Sequence, residues 1–381
     1  MHVPLFKLEA FFEEYEFAQD MIALGSSDAR TMTLGELLTL ADESFVLSDI
    51  ALSYQDVKGD DLLRAAIAEM YQPAEITAEN VLITTGASEA IFLAFHALLD
   101  PRDVALVCRP VFQSVRELPL LIGATLEFYD YVEHDNFRPN LAVVHDALRR
   151  PSPPKLLFMN TPHNPTGRVI EAIDLRALLA EAQAAGVSVV INEMYSGVSL
   201  PSSKPITSGL TFDSRAIVIA GLSKVFGLGG LRIGWVVGPK NFIQKCKEWR
   251  YYTTLAPPAI LQKLGEIAVR NRAPILKRTQ GIVQQNYEMA LRWLDDRKDY
   301  FETVIPDAGQ LMLIRLKGDI DTEEFVRELA TKALVLLIPC TTCFDMPQGY
   351  LRLGLGMEPS RFTQGLERLS DFLLKQIGAM S

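Results

Sequence analysis

The stretch Ala216-Ile-Val-Ile-Ala-Gly-Leu-Ser-Lys224, continued by Val225-Phe-Gly-Leu-Gly-Gly-Leu-Arg232-Ile-Gly-Trp235, carries the reading of the whole chain. Its first five residues are continuously apolar, as in a strand buried on both faces of a sheet. The run then opens into a polar pair, Ser223-Lys224. A lysine held just past a buried strand is costly to keep charged. Desolvation is therefore expected to lower its pKa, which suits Schiff-base chemistry. Taken alone, a solvated loop lysine is the simpler reading. The glycines of Gly227-Leu-Gly-Gly do not make a dinucleotide loop. The third glycine of that fingerprint would fall at Arg232, and no strand–helix–strand unit starts there.

Working outward, similar apolar runs recur at residues 81–85, 104–108, 155–159, 187–191 and 233–237. Amphipathic stretches separate several of them. In Ala172–Ala185, Ile173, Leu175, Leu178 and Leu179 alternate with Asp174, Arg176 and Glu181 at helical spacing. Strand–helix alternation predicts an α/β core with a large, mainly parallel sheet. Its site should lie beyond the carboxyl ends of the strands. The two ends differ. Residues 1–49 read as helix and loop. From residue 282 onward, predicted helices (284–297, 322–332, 359–377) alternate with short strands (311–315, 334–338). The expected organisation is a large domain over 50–281 and a smaller α+β unit assembled from 1–49 and 282–381.

With 381 residues, 49% of them hydrophobic, the chain is long enough to bury a large core. Its 37 basic and 47 acidic residues give a net charge of −10, which argues against nucleic acid as a partner. Four cysteines are too few for a disulfide framework at this length, so a reduced, cytoplasmic setting is expected. Cys340 and Cys343 form a lone C-x-x-C. No second ligand pair stands out among His2, His96, His134, His145 and His163, so packing rather than metal is the expectation. The N-terminus has no signal-peptide core, and no apolar run approaches the roughly 20 residues of a membrane span.

Three further segments carry chemistry. Thr84-Thr-Gly86-Ala87-Ser88-Glu89 sits between a strand and an apolar helix, where free N–H groups and the helix dipole favour an anion. Asn160-Thr-Pro-His-Asn164-Pro-Thr-Gly167 is a tight turn at a strand end that fixes Asn164. Ile191-Asn192-Glu193-Met194-Tyr195 ends another strand and offers a hydroxyl.

Together these segments resemble the class I/II aminotransferases, fold-type-I enzymes that use pyridoxal 5′-phosphate (PLP). The resemblance spans nearly the whole chain. It implies that Lys224 carries the cofactor as a Schiff base and later moves the substrate's Cα proton. It implies that Gly86, Ala87, Ser88, Ser223 and Arg232 hold the phosphate, and that Phe112 stacks on the pyridine ring. Asn164 and Tyr195 would meet its phenolic oxygen, and Tyr195 would assist catalysis. Tyr54 would reach the phosphate of a neighbouring subunit, so a homodimer with a shared site is implied. Arg352 would clamp the substrate's α-carboxylate, with Asn164 beside it, a task that suits a planar guanidinium.

Two positions depart from the family pattern. Asn192 replaces the aspartate that holds the pyridine nitrogen protonated. Alternation along the strand points Glu193 to the other face, so it offers no substitute. Gly221 replaces a serine or threonine three residues before the lysine, which removes one phosphate contact.

A narrower set of segments is similar to capreomycidine synthases, which cyclise hydroxylated arginine. These are Leu8-Glu9-Ala-Phe-Phe-Glu-Glu-Tyr15, Thr33-Leu-Gly-Glu-Leu37, Pro162–Gly167 and Tyr252-Thr-Thr-Leu-Ala256. That similarity implies loss of a side-chain hydroxyl and ring closure by the substrate's own guanidine. A guanidinium substrate needs carboxylates at its distal end, and Glu9 and Asp28 are the candidates. Asp28 lies in a polar loop, residues 25–30, with a mobile look. His163 is a candidate proton shuttle near neutral pH. The alternative is an ordinary aminotransferase that passes an amino group to a 2-oxo acid. A DNA-binding regulator on the same fold is disfavoured by the acidic charge and the short segment ahead of the sheet.

Overall fold

A computed structural model describes residues 3–71, 75–201 and 205–380, with side chains described through residue 375. His2 lies outside the described residues. The runs read as buried strands form one sheet. Its members are β1 (Val81–Thr85), β2 (Val104–Arg109), β3 (Thr125–Val132), β4 (Arg138–Pro139), β5 (Leu156–Asn160), β6 (Ser188–Asn192), β7 (Ile217–Gly221) and β8 (Ile233–Val237). The spatial order is β1-β8-β7-β6-β5-β2-β3-β4. The five inner strands from β7 to β3 run parallel. β8 runs antiparallel to both its neighbours, and β4 antiparallel to β3. β5, β7 and β8 are buried along their whole length, as unbroken apolar runs require.

Two consequences position the site. Because β8 reverses between β7 and β1, the carboxyl ends of β1, β2, β5, β6 and β7 open on one edge of the sheet. Short loops there lead directly into helices such as Gly86–Leu98 and Gln113–Ile122. Gly221 and Gly234 pair across the end of β7 and β8, where the two backbones come close. A larger residue at position 221 would have to fit against that pairing.

The C-terminal part forms a second sheet, ordered β11-β12-β10-β9, from β9 (Phe301–Val304), β10 (Leu311–Leu316), β11 (Ile338–Pro339) and β12 (Tyr350–Gly354). The predicted strand at 334–338 is mostly not one. Leu334 turns into the left-handed region (φ 55°) as it leaves the helix Thr322–Ala333. Residues 335–337 then run beside the N-terminal segment. Ile22 N–H donates to Leu334 O (2.9 Å), Leu336 N–H to Ile22 O (2.9 Å) and Gly25 N–H to Leu336 O (2.8 Å). The predicted helix at 284–297 is the last part of a longer one, Arg272–Asp295.

Candidate active site

The cavity at the carboxyl edge of the large sheet measures about 870 Å³. Five strand ends contribute to it. Ala87 and Ser88 follow β1, Phe112 follows β2, Asn160 ends β5 and Asn164 follows it, Asn192 ends β6 with Met194 and Tyr195 beyond it, and Ser223 and Lys224 follow β7. Arg232 and Arg352 face the same space. The N-terminal segment closes one wall with Glu9, Glu16 and Asp28.

An anion cradle lies at one end. Gly86 opens the helix Gly86–Leu98 with φ +76°, and a β-carbon there would sit 2.5 Å from Arg232 Nη2. Only glycine lets that guanidinium close against the helix start. No side chain caps this helix. The first-turn N–H groups, Ser88, Ser223 and Arg232 therefore make a donor set that fits a phosphate. The cradle has the chemistry that the phosphate of PLP requires.

Lys224 is the centre of the site. Its Nζ donates to Asp28 Oδ1 and Ser27 Oγ, each at 2.8 Å. The expectation of a depressed lysine pKa is overturned. Desolvation is the largest single influence and acts to lower it, but the Asp28 carboxylate and Tyr195 together outweigh it and the net shift is upward. For Asp28 itself, desolvation opposes the charge. Lys224, and then Arg352, outweigh it, so the carboxyl is held below its ordinary range.

The loop carrying Asp28 is pinned, contrary to its mobile look in sequence. Ala29 N–H donates to Lys224 O (3.2 Å), Arg30 N–H to Gly356 O (2.7 Å) and Met32 N–H to Gly227 O (3.0 Å). Gln310 Nε2 holds Ser27 O at 2.6 Å. Gly354, on β12, packs so tightly on the Ser26 carbonyl that no side chain fits between them.

Arg352 is buried on β12. Its Nε and Nη2 donate to Gly25 O (3.1 and 2.9 Å), and Nη1 donates to Asn164 Oδ1 (3.2 Å). The Asn164 backbone N–H is held in turn by Asn160 Oδ1 at 3.1 Å. The guanidinium lies over the Phe344 ring, 5.6 Å from its centroid. It is thus locked in one orientation with a face on the cavity.

The Asn192 amide has a fixed sense. Its Oδ1 accepts from Met194 N–H at 3.1 Å, so the side chain offers its NH₂, a donor without negative charge. Glu193 points away from the cavity, as alternation predicts. Its Oε1 accepts from Ser208 Oγ and Gly209 N–H, both 2.9 Å, and burial raises its carboxyl to a pKa of about 7.

His163 requires a correction. It does not line the cavity. It is buried and stacked on Tyr131 at 3.6 Å, with Nδ1 bonded to Thr166 Oγ1 (2.8 Å) and Nε2 to Pro110 O (2.9 Å). Burial pulls its pKa down to about 3. A neutral imidazole with both nitrogens engaged braces the turn and shuttles no proton. Tyr54 is 90% exposed and takes no part in this chain's own cavity.

Glu16 was not anticipated. Glu9, Phe12 and Glu16, spaced i, i+3, i+7, share the cavity face of the helix Lys7–Tyr15 and its C-cap. Desolvation raises the Glu16 pKa, and the nearby Asp28 and Glu9 charges raise it further. The helical spacing was the available signal. Ser27, the second partner of Lys224, had none.

All four cysteines are buried and unpaired. Among the described residues, no group of three or more His, Cys, Asp or Glu side chains is arranged to hold a metal ion. Among the described residues, no helix is long and apolar enough to cross a membrane.

A capreomycidine synthase from Streptomyces vinaceus is 26% identical over 381 aligned positions, covering 97% of this chain and 94% of that protein. An aspartate aminotransferase from Thermotoga maritima is 28% identical, with 84% of each chain covered. Among solved structures, a PLP-dependent aminotransferase from Streptococcus suis superposes with a TM-score of 0.90 at 25% identity, covering 98% of this chain and 99% of that one. The PLP-dependent cyclase OrfR also superposes at 0.90 and 25% identity, covering 99% of this chain and 98% of that one. The profile of aminotransferase class I and II matches residues 19–369, and the chain belongs to that family.

Proposed function

We propose that this enzyme uses PLP to dehydrate and cyclise a hydroxylated L-arginine, giving a cyclic guanidine amino acid. PLP supplies an electron sink at the substrate's Cα when bound. The carrying observation is the charge layout of one cavity. Arg352 shares that cavity with three carboxylates, Glu9, Glu16 and Asp28. A zwitterionic head with a cationic tail matches that layout, because each of its charges meets an opposite charge in the cavity. The end-to-end similarity to a capreomycidine synthase supports the same reading.

In this reading Arg352 holds the α-carboxylate, and Glu9 with Glu16 receives the guanidinium. Lys224 takes the proton from Cα and returns one there later. Asp28, at 2.8 Å, stabilises the ammonium form that Lys224 adopts between these events. The C–O bond to the side-chain hydroxyl breaks, and hydroxide takes a proton to leave as water. A guanidine nitrogen forms the new C–N bond and gives up its proton. The balance is the loss of one water, with no oxidant and no amino acceptor. A β-hydroxyl leads to a six-membered ring of the capreomycidine type. A γ-hydroxyl, after a further Cβ deprotonation, leads to a five-membered ring of the enduracididine type.

Exposed Leu52, Tyr54 and Tyr252 support a homodimer in which Tyr54 completes the neighbouring cradle. Unpaired cysteines are in keeping with a cytoplasmic setting.

The test is incubation with β- and γ-hydroxyarginine, with and without 2-oxoglutarate, alongside sedimentation that is expected to show a dimer. Loss of one water from the substrate without an acceptor, read by mass spectrometry, is the expected result. A Glu9→Gln/Glu16→Gln variant should lose about 10–100-fold in kcat/KM on the cationic substrate, from the missing charge-assisted bonds. Formation of glutamate from many amino acids, with no dehydration, would instead establish the aminotransferase reading that the Thermotoga relative favours.

Asn192 makes a separate prediction. Its NH₂ suits an unprotonated pyridine nitrogen, whereas Asn192→Asp would draw a proton onto that atom. The variant should show a changed visible spectrum of the bound cofactor. An identical spectrum across the pH range would mean that residue 192 does not face the ring.

A further inference from the structure

We propose that Arg250 is a positioning residue of the anion cradle: it neutralises Glu89 in the first turn of the helix Gly86–Leu98, so that the helix start stays receptive to phosphate. The inference rests on the reading of that cradle as the cofactor's phosphate site.

Arg250 ends the helix Lys240–Arg250 and is fully buried. It does not line the cavity. Its Nη1 donates to Val57 O at 3.1 Å and to Ile83 O on β1. Its Nη2 lies 3.6 Å from Glu89 Oε2, and neither Nη2 nor Nε has a hydrogen-bond partner. A guanidinium buried with so few bonds is an expensive way to hold two carbonyls. Its charge must answer another charge, and Glu89 is the carboxylate beside it.

Glu89 occupies a delicate place. Its Oε2 accepts from the Thr85 backbone N–H, directly at the helix start. Its Oε1 accepts from Thr254 Oγ1 (2.5 Å) and Thr253 Oγ1 (3.3 Å). The side chain is only 9% exposed. A carboxylate at that depth, in the same helical turn as the cradle, repels any phosphate that binds there, with little water to screen it. With Arg250 against it, the pair is neutral. Arg232 and the helix dipole are then left to attract the anion. The same guanidinium ties down the carbonyl of Ile83, two residues before β1 ends, and the segment after Tyr54.

The test compares wild-type, Glu89→Gln, Arg250→Met and doubly substituted apoproteins. Each is titrated with PLP and with pyridoxal, which lacks the phosphate, and unfolding temperatures are recorded in parallel. The readout is the ratio of the two affinities. Arg250→Met should lower that ratio about tenfold, because it leaves a buried charge uncompensated. Glu89→Gln should raise it, and the double variant should return toward wild type. A structural role alone would move the two single variants in the same direction. Equal loss in both, or no recovery in the double variant, would overturn the proposal. If Arg250→Met does not fold, Glu89→Gln still decides, since an unchanged or lower ratio counts against the proposal. Wild-type protein that takes up neither PLP nor inorganic phosphate would instead remove the reading of the cradle itself.

Discussion

Lys224→Ala protein is expected to lose the visible band of the bound cofactor at roughly 400–430 nm and to turn over on the order of 10⁴-fold more slowly. Lys224 is the only primary amine lining the cavity among the described residues. The other cations there, Arg232 and Arg352, are guanidiniums that neither form the Schiff base nor give up a proton. No neighbour inherits the role, because His163 is buried elsewhere with both nitrogens engaged. The phosphate cradle does not depend on Lys224, so the variant should still take up PLP, weakly and without the covalent link. It also leaves Asp28 without its ammonium partner, and the Asp28 pKa should rise toward the ordinary carboxylate range. A band that persists in the variant, and disappears on reduction with borohydride, would show that another amine carries the cofactor.

Arg352→Ala should lower kcat/KM for amino acids by about 10²–10³-fold, since truncating a desolvated charge partner leaves the substrate carboxylate unpaired. Arg352→Lys should recover little of this, because an ammonium cannot reproduce a planar fork. Stability should fall too, by about 1–3 kcal/mol, as the buried Gly25 carbonyl loses its donors. The diagnostic is selectivity. The cofactor spectrum should remain that of the wild type while saturation by substrate disappears. Unchanged kcat/KM with normal PLP content would exclude Arg352 as the clamp.

Much of this site was legible because it is local. Buried parallel strands announce themselves as apolar runs, and their polar sequels sit where the chain must leave the sheet. Ser223-Lys224, Gly86–Ser88 and Asn160–Gly167 were readable for that reason. What escaped was set by contacts between distant parts of the chain. Asp28 and Lys224 are 196 residues apart, and their ion pair reverses the expected direction of the lysine's pKa. His163 occupies a turn that sequence alone places beside the chemistry, yet it stacks on Tyr131 from β3. The strand expected at 334–338 yielded to a left-handed residue at 334 and to pairing with residues 22–25.

The pinned loop that carries Asp28 divides the labour of the molecule by address. Within this chain's own cavity, the groups that suit the cofactor come from residues 86 to 232. The carboxylates lining the cavity come from the first thirty residues, and Arg352 is bonded to Gly25 in that same segment. Evolution can therefore change what the cavity accepts by editing the helix that carries Glu9 and Glu16, while Ser27 and Asp28 keep their bonds to Lys224. A graft of this N-terminal segment onto a related scaffold has a built-in docking rule: the recipient must offer glycine where Gly354 lies against Ser26.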